Sequence, residues 1–269
     1  MYAIERILTA YLSNEDSPDI RNPIHSTEIA RKYGFESALV GGITVYGWAA
    51  EVVAEFLGDD WLDSGWTEFN FKRPVYPGEV LAVRLAEDGQ PGFAMTVEGE
   101  DGGVRIAGRA GLGLAPWFGD LAVPSSLMPA MPASIELRTL SPDAPPVGED
   151  LLPIRMAMDV RDARDYAIEK QHSSDTRFTG EHPRLHPAMV AGFEIFLIYE
   201  QFAPTTPGIH VYSQVQHMSR ANAGPGYVAG GKFIDSFERK GRHHGTIDGW
   251  LLRDGTEVCR ARQGFIYAL

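Results

Sequence analysis

Two short stretches carry the residue types and spacing best suited to chemistry: Asn22-Pro23-Ile24-His25 and Gly41-Gly42. Asn-Pro marks a turn, so His25 follows directly on a fixed bend. Gly41-Gly42 opens a long apolar run ending at Gly58, and that run reads as a buried helix. The first amides of a helix have no intrahelical acceptor and carry partial positive charge. A titratable base beside such donors suits reactions next to a carbonyl, where an oxyanion develops. The plainer readings are a packed or surface imidazole for His25 and close helix–sheet packing for the two glycines.

Other candidates carry less. Asp19 and, behind it, Asp16 are the acids nearest to His25. His182 and His186 have the i, i+4 spacing of helical metal ligands, but Pro183 and Pro187 break that helix and no third acidic ligand is patterned nearby. The run Arg239-Lys240-Gly241-Arg242-His243-His244 reads as a solvated hairpin tip, or as a basic patch for the phosphates of an acyl carrier. Arg73 and Arg220 fit structural ion pairs near strand ends. Cys259 lies among apolar residues and reads as an inert buried thiol. No phosphate-binding glycine loop and no nucleophilic serine elbow is present, and no cofactor or metal is expected.

The elements that must position these groups follow one plan twice. After a mixed N-terminal stretch and a short helix over Glu28–Tyr33 comes the Gly41–Gly58 helix. Strand-like segments follow at Thr67–Phe71, Val80–Leu85, Phe93–Val97 and Val104–Leu114, separated by Gly-containing turns. A Pro-rich segment within 116–150 reads as a linker. Then a strand is expected at Ile154–Val160, a second apolar helix at His186–Phe202, and strands at His210–His217, Tyr227–Glu238, Gly245–Leu252 and Glu257–Tyr267. Arg73 and Arg220 occupy corresponding places, as expected of a duplicated domain. The boundaries read as 1–120, a linker over 121–150, and 151–269.

Composition narrows the function. With 24 Lys+Arg against 36 Asp+Glu, the net charge is −12, which disfavours nucleic acid as a partner. No apolar run is long enough for a membrane span, and the N-terminus lacks a signal-peptide pattern. One cysteine excludes an intrachain disulfide. A cytoplasmic location is expected.

Asn22-Pro23-Ile24-His25, followed by Ala30, Gly34-Phe35 and the Phe35–Gly47 stretch with Gly42 and Thr44, resembles the MaoC-like dehydratase and (R)-specific enoyl-CoA hydratase family. The second half resembles a degenerate copy, as in the tandem members. The resemblance implies an α+β double hot dog, each repeat a central helix wrapped by a curved antiparallel sheet. It implies a lyase acting on acyl-CoA or acyl-carrier thioesters: His25 the base, Gly42 N–H the donor to the carbonyl, and Asp19 the acid partner. The family's own acid position holds Ile20 here, one residue away. Asn22, Gly41 and Thr44 would line the substrate site, with Arg239 and Lys240 at its phosphate end. The implied assembly is a covalent pseudo-dimer with one active site, and a homodimer of such chains the larger form. The alternatives are an acyl thioesterase using Glu51 or Glu55, and a non-catalytic acyl-binding protein.

Overall fold

A computed structural model describes residues 2–13, 21–127, 130–204 and 206–269. The first repeat opens with β1 (Tyr2–Thr9), then α1 (Thr27–Lys32), the long α2 (Gly42–Leu57), the short α3 (Asp59–Ser64), and strands β2 (Trp66–Phe71), β3 (Val80–Ala86), β4 (Phe93–Gly99) and β5 (Val104–Gly111). The second holds β6 (Arg138–Leu140), β7 (Asp150–Arg155), α4 (Val160–Asp165), α5 (Thr176–Thr179), α6 (Pro187–Ala191), α7 (Phe193–Tyr199), β8 (Phe202–Pro204), β9 (Ile209–His217), β10 (Tyr227–Arg239), β11 (Arg242–Arg253) and β12 (Thr256–Ala268).

Ten strands form one sheet in the order β1-β3-β4-β5-β2-β9-β12-β11-β10-β7. The two halves of that order mirror each other, which is the duplication seen in the sequence. The seam is the antiparallel pair β2 and β9, with Trp66 opposite Gln216 and Asn70 opposite Tyr212. Period-two alternation explains the strands: Leu81, Val83 and Leu85 of β3 face inward and are fully buried. Apolar residues lie nearly all round α2, so it buries Val45, Tyr46, Ala49, Val52 and Val53 between the sheet and α6. Tyr46 stacks on Phe69 of β2 with centroids 4.3 Å apart.

The chain leaving β5 crosses the seam on the sheet's outer side. Gln216 accepts from Ala115 N–H at 2.8 Å, and Asp248 accepts from Ala122 N–H at 2.7 Å. The expected 121–150 linker therefore begins as a packed strap, and it contains β6, which pairs with β8.

Three elements differ from expectation. β1 was hidden in a stretch of mixed charge, but its alternation pairs it with β3. The strand expected over Ile154–Val160 runs instead from Asp150 to Arg155, because Asp159 starts α4 with a capping box to Asp162. The helix expected over His186–Phe202 is two helices, broken where Gly192 relaxes to ψ −6°. Among the described residues, no helix is long and apolar enough to cross a membrane.

Candidate active site at the repeat interface

The Asn22–His25 loop is built by its own side chains. Asn22 Oδ1 accepts from Ile24 N–H at 3.3 Å, and Pro23 presets the first turn. Ile24 is buried against Ala30 and Leu39. The other end of the Asn22 amide donates to Gly208 O at 2.8 Å, tying the loop to the second repeat. Asn22 lines the cavity, but its hydrogen bonds serve the loop.

His25 is thereby held with its ring against the chain that leads into α2. Its Nδ1 lies 2.7 Å from Leu39 O. A carbonyl only accepts, so Nδ1 carries the proton and Nε2 keeps its lone pair. Burial lowers the His25 pKa, outweighing the Leu39 hydrogen bond, so the ring is a neutral base at neutral pH.

Gly41 and Gly42 bring that base to the helix end. A Cβ on Gly41 would lie 3.4 Å from His25 Cε1 and 3.8 Å from Nε2. A Cβ on Gly42 would lie 2.8 Å from Phe71 Cζ and 3.0 Å from His210 Nδ1. Two imidazoles thus flank the glycine pair, one from each repeat. Gly41 O accepts from Thr44 and Val45 N–H, and among the described residues no side chain caps the helix. The Gly42 and Ile43 amides remain as donors at the positive end of a 16-residue helix.

The corresponding helix end in the second repeat is closed. His186 Nδ1 accepts from Ala188 N–H at 3.2 Å, and Pro187 has no N–H to offer. His186 Nε2 donates to Glu51 Oε1 at 3.1 Å.

His25, Asn22, Gly41, Gly42, Thr44 and His210 all line one cavity of about 1050 Å³ between the repeats. Its remaining wall is mostly apolar and comes largely from the second repeat, including Met156, Met189, Ile195, Phe196, Ile209 and Phe265. Phe193, by contrast, is core. Arg239 is the last residue of β10 and Lys240 the first of the exposed two-residue turn Lys240-Gly241, both outside the cavity wall, with Lys240 at φ 53° and Gly241 at φ 72°. The members of that run that do reach the cavity are Arg242 and His244. Sequence reasoning missed this because alternation along β11, not position in the run, decides which residues face inward.

Asp19 and Asp16 lie outside the described residues. Glu51 and Glu55 do not line the cavity; Glu51 binds His186 and Arg6, and Glu55 binds Arg6. Arg73 pairs with Asp101, and Arg220 with Asp59 and Asp63. Among the described residues, no group of three or more His, Cys, Asp or Glu could hold a metal ion. Cys259 is fully buried, and burial pushes its thiol pKa well up. His210 was read only as the first residue of a strand; pairing of β9 with β2 is what carries it to Gly42.

This is the double hot-dog fold seen in MaoC-like dehydratases. A chain assigned as a MaoC domain protein dehydratase from Chloroflexus aurantiacus is similar at TM-score 0.63 and 13% identity, over 99% of this chain and 93% of that one. A double hot-dog protein from Mycobacterium tuberculosis is similar at TM-score 0.57 and 11% identity, over 97% and 93%. A chain assigned as an oleoyl thioesterase from Lactobacillus plantarum is similar at TM-score 0.54 and 9% identity, over 100% and 96%. The sequence matches no protein-family model and no curated protein. The fold is therefore shared by dehydratases and thioesterases alike.

Proposed function

We propose that the chain is a hydro-lyase that hydrates 2-enoyl thioesters, or dehydrates 3-hydroxyacyl thioesters, carried on coenzyme A or a carrier protein. The observation that carries this reading is His25: its Nδ1 is fixed on Leu39 O, and its neutral Nε2 edge lies beside an uncapped helix end in an apolar cavity.

In hydration, His25 Nε2 takes a proton from water while the oxygen bonds to C3. The C2–C3 π electrons move toward the thioester carbonyl, and the oxyanion accepts from Gly42 N–H. The enolate then collapses and C2 takes a proton from an acid, for which Asp19 is the proposed group. Dehydration is the reverse. The apolar wall from the second repeat would hold the acyl chain, and its closed helix end leaves one site per chain. Thioester hydrolysis gains no support from Glu51 and Glu55, whose carboxylates are engaged away from the cavity.

The test follows loss of the enoyl-thioester ultraviolet absorbance on a chain-length series of 2-enoyl-CoAs, with wild type beside His25→Ala. Loss by wild type, reduced about 10²–10⁴-fold in the variant, is expected. Free thiol release instead would identify a thioesterase. No reaction at any chain length would overturn the enzymatic reading.

A further inference from the structure

His210 enters the cavity from the start of β9, and its ring edge meets the first turn of α2. The far edge of the ring is fixed. Nε2 lies 2.7 Å from Ser213 Oγ, 3.1 Å from Tyr212 O and 3.1 Å from the Gln263 amide. The Tyr212 carbonyl only accepts, so Nε2 carries the proton, the Gln263 amide meets it turned so that its oxygen faces the ring, and Nδ1 keeps a lone pair. Burial keeps the ring neutral, with its pKa down to about 3. Nδ1 is buried and has no hydrogen-bond partner among the described residues. Buried polar atoms in folded proteins nearly always have one, so a bare nitrogen at a substrate cavity points to a partner that arrives with the ligand. A lone pair also suits the positive end of α2 better than a second N–H would.

We propose that His210 Nδ1 is the second repeat's contact with the substrate, accepting a hydrogen bond from the O–H that hydration adds and dehydration removes. This rests on the hydro-lyase reading above. His25 flanks Gly41 and His210 flanks Gly42. Water gives one proton to His25 Nε2 and directs the other at His210 Nδ1, which orients the oxygen toward C3 without taking the proton. Phe71 packs against the His210 ring, with centroids 4.8 Å apart. Phe71 is only half-buried and lines the cavity, so a bound molecule reaches Nδ1 by displacing that ring.

Two near-isosteres separate the ring's edges. Asparagine places its amide where Nδ1 lies, and glutamine places its amide where Nε2 lies. The experiment compares His210→Asn, His210→Gln and wild type for kcat and KM on 2-enoyl-CoAs. It also measures equilibrium binding of a 3-hydroxyacyl-CoA and of the saturated acyl-CoA of the same length. We expect His210→Asn to stay within about tenfold of wild type and His210→Gln to lose about 10²-fold or more in kcat/KM. Wild type should prefer the hydroxylated ligand, and His210→Gln should lose that preference while still binding the saturated one. A fully active His210→Gln with an inactive His210→Asn would make the ring a scaffold only and overturn the assignment. So would a wild type that binds both ligands equally. If wild type shows the preference but no turnover, the contact stands and the hydro-lyase reading fails.

Discussion

Glu51, on the long helix of the first repeat, accepts a 3.1 Å hydrogen bond from His186 Nε2 at the start of the second repeat's helix. The pair joins the two helices where they pack together and completes the closure of the second helix end. Burial alone would raise the Glu51 pKa; the His186 hydrogen bond and Arg6 outweigh it and hold the carboxyl below its usual range. Removing the imidazole in His186→Ala takes the closest partner from a half-buried carboxylate, which keeps Arg6 and Ser173, and leaves the buried Ala188 amide without its acceptor. The expected cost is about 2–3 kcal/mol, read from the denaturant midpoint. In Glu51→Gln the amide oxygen can still accept, so hydratase turnover should persist. Loss of turnover with stability intact would instead place Glu51 in the chemistry.

The glycine pair should respond asymmetrically. Gly42→Ala presses a methyl onto Phe71 and His210, so a loss of about 1–3 kcal/mol in stability accompanies loss of activity. Gly41→Ala meets His25 Cε1 at 3.4 Å and Thr44 Oγ1 at 3.6 Å, ordinary contacts, and should fold nearly as well as wild type while its methyl crowds the approach to His25 Nε2 and lowers turnover. Thermal melts and turnover measured on both variants check this, and equal melting losses would count against it.

Acid should destabilise the fold through buried histidines. Burial depresses His217 to about 4 and His210 to about 3, with Arg184 contributing at His217. The unfolded chain binds protons near pH 6.5, before the folded one does. Stability is therefore intact above that pH and falls as pH drops toward 4, by about 1.4 kcal/mol per pH unit for each such histidine. Chemical denaturation between pH 7 and pH 4 should show this slope, and His217→Phe should flatten it.

Glu194 produces the opposite slope. It is fully buried, neither carboxyl oxygen has a partner among the described residues, and burial, aided by Asp248, raises its pKa well above the usual range. The folded chain holds that proton after the unfolded one has released it, so stability declines as pH rises from about 4.5. Glu194→Met should raise stability at neutral pH by roughly 1–3 kcal/mol, and the gain should shrink on acidification. A destabilised variant would mean the carboxyl has a partner after all.

Chain-length preference should lie in the second repeat. Ile195→Trp narrows the apolar part of the cavity. On the proposed reaction, kcat/KM for long 2-enoyl-CoAs should fall at least about tenfold relative to short ones. An unchanged profile would place the acyl chain elsewhere.

Much of the fold was legible because each strand shows its buried face by alternation and α2 is apolar nearly all round. The Asn-Pro-Ile-His motif and Gly41-Gly42 were legible because their roles are local: a turn, a cap and a helix start. Phe71 and His210 were not, since their place beside Gly42 depends on pairing across the seam between residues far apart in sequence. The basic run misled for a similar reason: contiguity in sequence put Arg239 and Lys240 forward, while strand geometry turned Arg242 and His244 inward. The break at Gly192 was invisible to periodicity, because both halves of that helix share one apolar face.

The continuous sheet across β2 and β9 has a consequence for descent. Two identical subunits joined at such a seam must carry identical helix ends, so any change that shuts one shuts both. A single chain escapes that rule. One copy can keep glycines that leave its helix end open, while the other takes up a proline and a histidine that close it. What the shut copy gives up in reactivity, it regains as freedom to reshape its wall around whatever the open copy acts upon.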